Sequence, residues 1–303
     1  MKVFLLITVL CMCGLHASGA LSDLLPPERD AMHVEGREGW RFLPAEFRHH
    51  LAENIPSTAA EAVIDTADQL RKLGIRLMVV PVPTKLSVYP EKLAGGLSVQ
   101  RTGETAFIDT LRKAGVEVID LFDEFVASKE PAFCLRDSHW NGTGLKIAAD
   151  RITEKIRADI LETSKFEAKE ETIEIEGDLG GGKEPVTLTA VSPFDKDASR
   201  ASPVLVIGDS NALVFHEGGD MHARHSGLSD LLALRLGTSV DLLAVRGSGA
   251  TAARVSLARR ARANPEWMEN KRVVIWVFAA RELTESSWDK IPLRRPNTDI
   301  GDG

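Results

Sequence analysis

Five short apolar runs that alternate with helix-like segments are the feature that most constrains this fold. Each run is rich in Val, Ile or Leu and is bounded by turn residues, a pattern typical of strands buried on both faces. Because helices separate most of the runs, the sequence predicts an α/β fold with a parallel sheet covered by helices on both sides. The predicted strands cover residues 75–81, 116–121, 204–207, 240–245 and 273–278.

Helical periodicity and end signals predict the helices. In residues 57–73, Ser57 and Thr58 offer a cap, Thr58 and Glu61 form a capping-box pattern, and Gly74 ends the helix. The remaining predicted helices cover residues 46–53, 102–114, 140–161, 229–236 and 251–263.

Residues 163–200 interrupt the alternation of strands and helices. Alternating residues on both sides of the Gly180-Gly181-Gly182 turn predict an inserted β-hairpin. We interpret the insertion as a surface decoration, because surface insertions are well tolerated; a flap over the site is the alternative.

Composition and the first residues bear on protein class and compartment. The 303 residues are 44% apolar and 27% charged, with a net charge of −7. We therefore expect a globular protein and no nucleic-acid partner, because nucleic acid needs a basic face. Met1-Lys2, the apolar residues 3–15 and the small residues Ser18 and Ala20 predict a signal peptide over residues 1–20. An uncleaved leader that anchors the protein is the alternative.

The motif Gly208-Asp209-Ser210 follows the third predicted strand and supplies a candidate nucleophile. Gly208 would let the chain turn sharply, which places Ser210 at the mouth of the sheet and the start of a helix. Backbone N–H groups and the helix dipole favour negative charge at such a place. The alternative is that Ser210 only caps the next helix.

Asp137 and His139 are the candidate partners of Ser210, since a serine nucleophile needs a base. In an extended segment, residues two apart face the same side. The Asp137 carboxylate could then hold one imidazole nitrogen of His139 while the other nitrogen takes the proton of Ser210. This is the arrangement used in acyl transfer. The alternative is an exposed acid–imidazole pair without a catalytic role.

Several motifs in order along the chain resemble a known family. Asp137-Ser138-His139-Trp140 continues as Asn141-Gly142-Thr143-Gly144, and Gly-Asp-Ser follows downstream. Residues 36–42 read Gly-Arg-Glu-Gly-Trp-Arg-Phe, close to a Gly-x-x-Gly-Trp-Leu-Phe motif, and residues 78–85 and 276–283 are similar to core strands of that family. These motifs resemble the alginate O-acetyltransferase (AlgJ/AlgX-like) family, which has an SGNH-hydrolase-like domain.

The resemblance implies a fold, an activity and partners. It implies a single SGNH-like domain over residues 21–303, with a parallel sheet of about five strands flanked by helices and the hairpin at residues 163–200 inserted. It also implies an exported polysaccharide O-acetyltransferase that uses Ser210, His139 and Asp137, an acetyl-serine intermediate and no cofactor. A membrane-bound O-acyltransferase would supply the acetyl group. The expected location is the periplasm or the exterior, with an inner-membrane anchor if the leader is retained.

Two other functions remain as alternatives. One is an SGNH-type carbohydrate acetylesterase, which uses the same triad with water as the acceptor. The other is a non-catalytic polysaccharide-binding member of the family. How well the site excludes water decides between transfer and hydrolysis, so the sequence does not separate the first two.

Further residues are candidates for the oxyanion and substrate sites. By resemblance, Gly247 or Gly249 would donate a backbone N–H to the oxyanion; a plain strand–helix turn explains them equally well. The Gly-x-Asn-Asp block that carries the oxyanion asparagine of SGNH enzymes is missing, and residues 279–282, Ala-Ala-Arg-Glu, stand in its place. Arg281 would stabilise negative charge or hold sugar or uronate groups. A pair between Arg281 and Glu282 or another acid is the alternative. Asn211 would donate a hydrogen bond from its side chain.

Aromatic and histidine side chains complete the candidate list. Trp140 is a candidate to flank a sugar ring, and Tyr89 is a candidate to point into the cleft. His216, His222 and His225 could bind a metal together with Glu217 or Asp220, but their spacing fits no regular site. We therefore predict no metal.

Overall fold

The computed structural model describes residues 21–26, 31–52, 54–93, 97–157, 160 and 162–293. The predicted signal peptide at residues 1–20 lies outside these residues. Among the described helices, none combines the length and the apolar character that crossing a bilayer requires.

The central element is a five-stranded parallel sheet, as predicted. In chain order, the strands are β1 (Val34–Glu35), β2 (Arg41–Phe42), β3 (Arg76–Val82), β4 (Glu117–Val118), β5 (Glu167–Glu176), β6 (Lys183–Ser192), β7 (Val204–Gly208), β8 (Glu217–Gly219), β9 (His222–Arg224), β10 (Asp241–Ala244) and β11 (Val273–Ala279). The strand order of the parallel sheet is β10-β7-β11-β3-β4, and three two-stranded antiparallel pairs, β1-β2, β5-β6 and β8-β9, accompany it.

Helices lie between the strands and pack on the sheet. Two short 3₁₀ helices, Arg37–Gly39 and Pro90–Lys92, accompany them. The α-helices are α1 (Pro44–Leu51), α2 (Ser57–Lys72), α3 (Lys85–Val88), α4 (Thr102–Lys113), α5 (Phe122–Ala127), α6 (Gly142–Ile156), α7 (Lys196–Ala201), α8 (Ser210–Leu213), α9 (Leu228–Leu236), α10 (Thr251–Ala263), α11 (Pro265–Glu269) and α12 (Glu282–Glu285).

Several local predictions differ from the structure. The helix predicted over residues 46–53 is α1 (Pro44–Leu51), and the one predicted over residues 140–161 is α6, which begins at Gly142 because Asn141 is its N-cap and ends at Ile156. The capping box at the start of α2 does not form, because Pro56 is the N-cap and Glu61 accepts a hydrogen bond from the Ser57 hydroxyl instead (3.2 Å). Strand β4 is shorter than residues 116–121, because it lies at the sheet edge and the chain leaves it to cap α5 at Leu121.

Both faces of the sheet are buried, which explains why its strands read as continuous apolar runs. Alternate residues of each strand enter different cores. Met78, Val206 and Ile275 belong to the core beneath α6 and α9. Leu205 and Trp276 belong to the core on the other face, together with α2 and α4.

The predicted β-hairpin insertion is present as β5 and β6, which pair along their whole length. Strand β6 packs against α6 and α9, whereas most of β5 is exposed and acidic. The turn between the two strands packs closely against residues 135–138. A Cβ added at Gly177 would lie only 2.2 Å from the Arg136 carbonyl oxygen. The insertion is therefore built into the fold next to the candidate site.

Parallel strand order brings several candidate segments to one edge of the sheet. The chain leaves the carboxyl ends of β7, β11 and β3 at Ser210, Arg281 and Lys85 respectively. Ligands of open α/β sheets bind outside this edge. The fold thus places the nucleophile candidate where such sheets carry their sites.

Candidate active site

The turn that carries Ser210 is fixed by two features of the sheet. A Cβ on Gly208 would lie 2.3 Å from the Val277 carbonyl oxygen, so glycine is needed there for close approach of β7 and β11. Gly208 is absent from the residues with positive φ, so the predicted reason, a sharp turn that needs glycine, is wrong. Asp209 then bonds both sides of the turn, accepting from the Asn211 N–H (2.8 Å) and the Ala279 N–H (2.7 Å).

Ser210 is the half-buried first residue of α8. The N-cap of that helix is Asp209, so the alternative that Ser210 is only a cap is wrong. Among the described residues, none makes a hydrogen bond with the Ser210 hydroxyl. The hydroxyl is therefore free to meet a ligand.

Asp137 and His139 are bonded to each other, as predicted. Oδ1 of Asp137 lies 2.6 Å from Nδ1 of His139 and also accepts from the His139 N–H (2.9 Å). The predicted extended segment is wrong, however. Phe133 bridges to Trp140 and the Cys134 N–H donates to the His139 carbonyl, so the pair lies in a tight loop closed by the Asp137 side chain. Asp137 is fully buried and His139 is 5% exposed.

The pair changes the proton affinities of both groups. Burial on its own would raise the pKa of Asp137, but hydrogen bonds from His139 and His222 hold that pKa well below its usual range. Burial also acts to lower the pKa of His139, but the hydrogen bond and the charge of Asp137 raise it above its ordinary value. An ionised Asp137 can only accept, so Nδ1 of His139 carries the hydrogen and Nε2 is left to act as a base.

Trp140 connects this loop to the nucleophile turn. Its indole Nε1–H donates to the Asn211 carbonyl (3.1 Å), so the residues that follow His139 and Ser210 are bonded to each other. The side chain is fully buried. The expectation that Trp140 flanks a sugar ring is therefore wrong, because it has no accessible face.

Buried Lys85 binds the backbone of the loop that carries Asp137 and His139. Its Nζ donates to three carbonyl oxygens, those of Arg41 (2.7 Å), Leu135 (2.9 Å) and Asp137 (3.2 Å). The side chain is 1% exposed, and burial lowers its pKa to about 8. Its ammonium also lies 5.1 Å from the Trp40 ring centroid. Lys85 therefore joins its own segment and the segment of Trp40 and Arg41 to the Asp137 loop.

Tyr89 does not point into the cleft as expected. Its hydroxyl accepts a hydrogen bond from the Ala132 N–H (2.7 Å), and its ring packs 4.6 Å from that of Trp40. Tyr89 therefore holds the chain that leads into the Asp137 loop.

The inserted hairpin also holds the Asp137 loop, which corrects the interpretation of it as a surface decoration. Asp178 accepts from the N–H and the hydroxyl of Ser138 (2.7 and 2.6 Å), and its own N–H donates to Oδ2 of Asp137 (3.0 Å). Glu184 accepts from the N–H groups of Leu135 and Arg136, both at 2.6 Å. The sequence held a signal for this role of Glu184, because it is a charged residue at an inward-facing position of β6.

The oxyanion candidates differ in how near they lie to the nucleophile turn. Gly249 packs against Asp209, since a Cβ there would lie 2.7 Å from the Asp209 Cβ. Gly247 is exposed, with φ at +71° and open space around it. The side-chain amide of Asn211 donates to Oδ1 of Asp209 (3.0 Å), so it is already bonded within the turn.

Arg281 follows β11 and is half-buried. Its charge acts on Glu46 and on His139, which places the guanidinium near the candidate base. Among the described residues, none makes a hydrogen bond or a close ion pair with its side chain, so the alternative of a direct pair with Glu282 is not observed, although the charge of Arg281 acts on Glu282 as well. Glu282 instead accepts from the Ser286 hydroxyl. Arg281 thus presents a positive charge for an anionic group.

The three histidines that follow Ser210 separate into two sets. His222 bonds to Asp137 (3.0 Å). His216 bonds to Asp230 (2.8 Å), and the His225 ring stacks on Phe194 at 4.5 Å. His222 is a site residue that the sequence analysis missed in this role, because its partner lies far away in the sequence.

Comparison with known proteins now adds the family. A family model described as "SGNH hydrolase-like domain, acetyltransferase AlgX" matches residues 34–280. The chain belongs to this family. The match includes both segments of the candidate site and the inserted hairpin, which confirms the predicted family.

Two solved structures have the same fold as this AlgX-family member. The O-acetyltransferase domain of Pseudomonas putida AlgJ is 22% identical with a TM-score of 0.65, and the alignment covers 83% of this chain and 92% of that domain. Pseudomonas aeruginosa AlgX is 19% identical with a TM-score of 0.64, covering 84% of this chain and 67% of AlgX. These likenesses confirm the predicted SGNH-like fold.

Curated sequences give a shorter match. The probable alginate O-acetylase AlgJ of Pseudomonas aeruginosa is 26% identical over 129 residues, which are 41% of this chain and 33% of that protein. The same protein of Pseudomonas syringae pv. tomato is also 26% identical over 129 residues. This AlgX-family chain therefore matches about a third of the length of these relatives.

Proposed function

We propose that this protein is an exported polysaccharide O-acetyltransferase that works through an acetyl-serine intermediate on Ser210. The acetyltransferase family is the frame for this proposal, and the Asp137–His139 pair next to the Ser210 turn carries it. Asp137 and His139 are joined at 2.6 Å, and Trp140 and Asn211 join the segments that bear His139 and Ser210.

The reaction we propose has two steps. In the first, Nε2 of His139 takes the proton of Ser210 while Oγ attacks the acetyl carbonyl carbon of the donor. The donor's leaving group then departs with the proton from His139, and an acetyl ester remains on Ser210. In the second, a sugar hydroxyl gives its proton to His139 and attacks that ester. Ser210 is released and takes the proton back.

Backbone N–H groups would stabilise the oxyanion in both steps. The Ser210 N–H and the N–H of Gly249 or Gly247 are the candidates, and Gly249 is favoured because it packs against Asp209. A well-placed donor of this kind contributes about 3–4 kcal/mol to the transition state. The unpaired charge of Arg281, near His139, would hold an anionic part of the substrate.

The acceptor, donor and location are also part of the proposal. Two relatives carry alginate in their names, so we propose a uronate polysaccharide of the alginate type as the first acceptor to test. A membrane-bound O-acyltransferase would supply the acetyl group, because acetyl-coenzyme A is not expected outside the cytoplasm. The leader-like residues 1–20 support export to the periplasm or the exterior.

Replacement of Ser210 by alanine tests the proposed nucleophile. The purified protein would be incubated with an activated acetyl ester, with and without an alginate oligosaccharide, and both released acetate and acetylated sugar would be measured. Ser210→Ala should abolish both products, whereas Ser287→Ala, a change at an exposed serine, should leave them unaltered.

The products distinguish the candidate functions. Acetylated sugar supports transfer, whereas acetate alone in both incubations would identify an esterase. Retention of activity in Ser210→Ala would refute Ser210 as the nucleophile. A wild-type protein that fails to react with a serine-directed phosphonate would point to the non-catalytic alternative.

A further inference from the structure

The Asp137 carboxylate is shared by two imidazoles. His139 uses Oδ1 at 2.6 Å, and Nε2 of His222 lies 3.0 Å from Oδ2. His222 begins β9, on the short hairpin that directly follows the nucleophile helix α8. One carboxylate thus joins the loop of the proposed base to the segment of the proposed nucleophile.

We propose that His222 is a positioning residue, which fixes the Asp137 carboxylate and through it the orientation and basicity of His139. The inference rests on the proposed acyl transfer at Ser210 and adds a fourth side chain to it. His222 touches neither donor nor acceptor in this account; it acts only through Asp137.

Hydrogen-bond counting gives His222 this role. Oδ1 of Asp137 accepts from two groups of His139, and Oδ2 accepts from the Asp178 N–H and from His222. An ionised carboxylate can only accept, so Nε2 of His222 is the donor. Without His222, Oδ2 keeps a single neutral donor. The carboxylate is then freer to turn, and more of its charge acts on His139.

The backbone around His222 is unusual in a way that fits a built contact. His222 has φ at +67° and Phe215 has φ at +61°, a region that few non-glycine residues adopt. The Phe215 N–H donates to the Met221 carbonyl (2.8 Å), and the Phe215 ring lies 5.5 Å from that of His222. Strain of this kind persists only where surrounding contacts impose it.

A groove leads from solvent to His222. It has a volume of about 430 Å³, and its walls are the end of β5 with the turn that follows it, and the β8-β9 hairpin. The charged groups that face His222 are Asp137, Asp178, Glu174, Glu176 and Asp220, and Arg246 pairs with the last of these. A small imidazole can therefore enter from solvent if the His222 side chain is removed.

Two substitutions separate positioning from mere structural support. His222→Ala removes the donor, whereas His222→Gln keeps an amide N–H at nearly the same distance from the backbone. We expect kcat to fall about 10- to 100-fold in His222→Ala, the size expected for one hydrogen bond to a charged group. KM should change little, since His222 does not contact substrate. His222→Gln should recover most of the activity.

Two further readouts would not respond to a purely structural role. Added imidazole should partly restore His222→Ala through the groove. The acid limb of the kcat/KM profile should move to higher pH in His222→Ala, because the less neutralised Asp137 raises the pKa of His139 further and a protonated His139 is no base. NMR titration of the His139 imidazole should report the same upward shift without any assay of activity.

His225→Ala is the matched control, because His225 lies just beyond the same hairpin and stacks on Phe194 instead of bonding to Asp137. It should leave kcat, the pH profile and the His139 titration unchanged.

If Ser210→Ala is inactive but His222→Ala and His222→Gln both match wild type, the proposed function stands and the role of His222 is refuted. If Ser210→Ala stays active, the proposed function fails, and an unshifted His139 titration in His222→Ala would still overturn the role of His222. Should His222→Ala not fold, His222→Asn takes its place, because asparagine tolerates the left-handed φ of this residue and its amide is too short to reach Asp137. The same fall in kcat and the same upward shift of the His139 titration are expected in His222→Asn, and wild-type values for both would overturn the role.

Discussion

Ser210 and His139 lie on segments that the fold holds in different ways. The Ser210 turn is an extension of the sheet. Gly208 pairs with Val277 of the neighbouring strand, and Asp209 bonds to the Ala279 backbone across the same strands. The position of Ser210 is therefore set by main-chain pairing and by its immediate neighbours in sequence.

The Asp137–His139 loop has no such support from the sheet. Side chains from distant parts of the chain hold it: Lys85 after β3, Asp178 and Glu184 from the inserted hairpin, and His222 from the β8-β9 hairpin. All of these contacts are hydrogen bonds to buried or half-buried groups. The comparison teaches that the position of His139 depends on long-range polar contacts, whereas that of Ser210 depends on the sheet.

The largest expected effect comes from Asp137→Asn, which removes the orienting charge and leaves the sheet untouched. An asparagine in place of the orienting carboxylate costs about 10⁴-fold in kcat in a Ser-His-Asp enzyme. We expect a loss of that order with an activated acetyl ester, with circular dichroism close to wild type. A loss of less than tenfold would show that Asp137 does not orient the base.

Among the substitutions at the contacts of the Asp137–His139 loop, Lys85→Met is expected to lower the free energy of unfolding most. Three buried carbonyl oxygens lose their donor, and each unsatisfied group costs about 1 kcal/mol or more. The free energy of unfolding should fall by about 3 kcal/mol in urea titration. Lys92→Met is the control, because Lys92 pairs with the exposed Glu38. Equal losses in the two variants would contradict the support we assign to Lys85.

Gly208→Ala tests the sheet side of the comparison. The added methyl would collide with backbone, at 2.3 Å from the Val277 oxygen, so the strands must separate. We expect a loss of about 2 kcal/mol of unfolding free energy, together with reduced reaction of Ser210 with a phosphonate. At Gly247 nothing lies within 4 Å of an added Cβ, and only the left-handed φ opposes alanine, at about 1 kcal/mol. The account fails here if Gly247→Ala is the more damaging change.

The smallest effect is expected at the bond that joins the two regions. Trp140→Phe removes the hydrogen bond to the Asn211 carbonyl and should cost about 1 kcal/mol of stability. Trp267→Phe is the control, because it also removes a buried indole hydrogen bond, here to the Asp241 carboxylate and away from the site (2.6 Å), and should cost at least as much stability. Both should lower the thermal midpoint, but only Trp140→Phe should also lower kcat. Identical kcat values in the two variants would leave the Trp140 bond without a catalytic role.

The difference between the Ser210 turn and the Asp137–His139 loop also explains which features could be predicted from the sequence. The strands were predictable because both sheet faces are apolar, and Ser210 was predictable because it directly follows such a strand. The pairing of Asp137 with His139 was predicted correctly from the wrong geometry. An extended segment and the observed tight loop both bring side chains two residues apart together.

The contacts that hold the Asp137–His139 loop could not be predicted from an apolar pattern as the strands were. Asp178 and His222 are polar residues in turns, where carboxylates and imidazoles are common for many reasons. Their roles exist only because the inserted hairpin and the β8-β9 hairpin fold back on Asp137. Trp140 and Tyr89 were placed wrongly for a related reason. Trp140 lies beside the Asp137–His139 motif and Tyr89 lies in a loop at the end of a strand, and both positions suggest a substrate contact. In the structure, both residues use their polar atoms to bond the backbone.

Trapping of the acetyl-enzyme tests the central claim most directly. The protein would be mixed with an activated acetyl ester without a sugar, quenched in acid within the first turnover, and digested for peptide mass spectrometry. We predict one acetyl group on Ser210 in the wild-type protein and none at that position in His139→Ala. An acetyl group on a different residue, or equal acetylation of Ser210 with and without His139, would contradict the account.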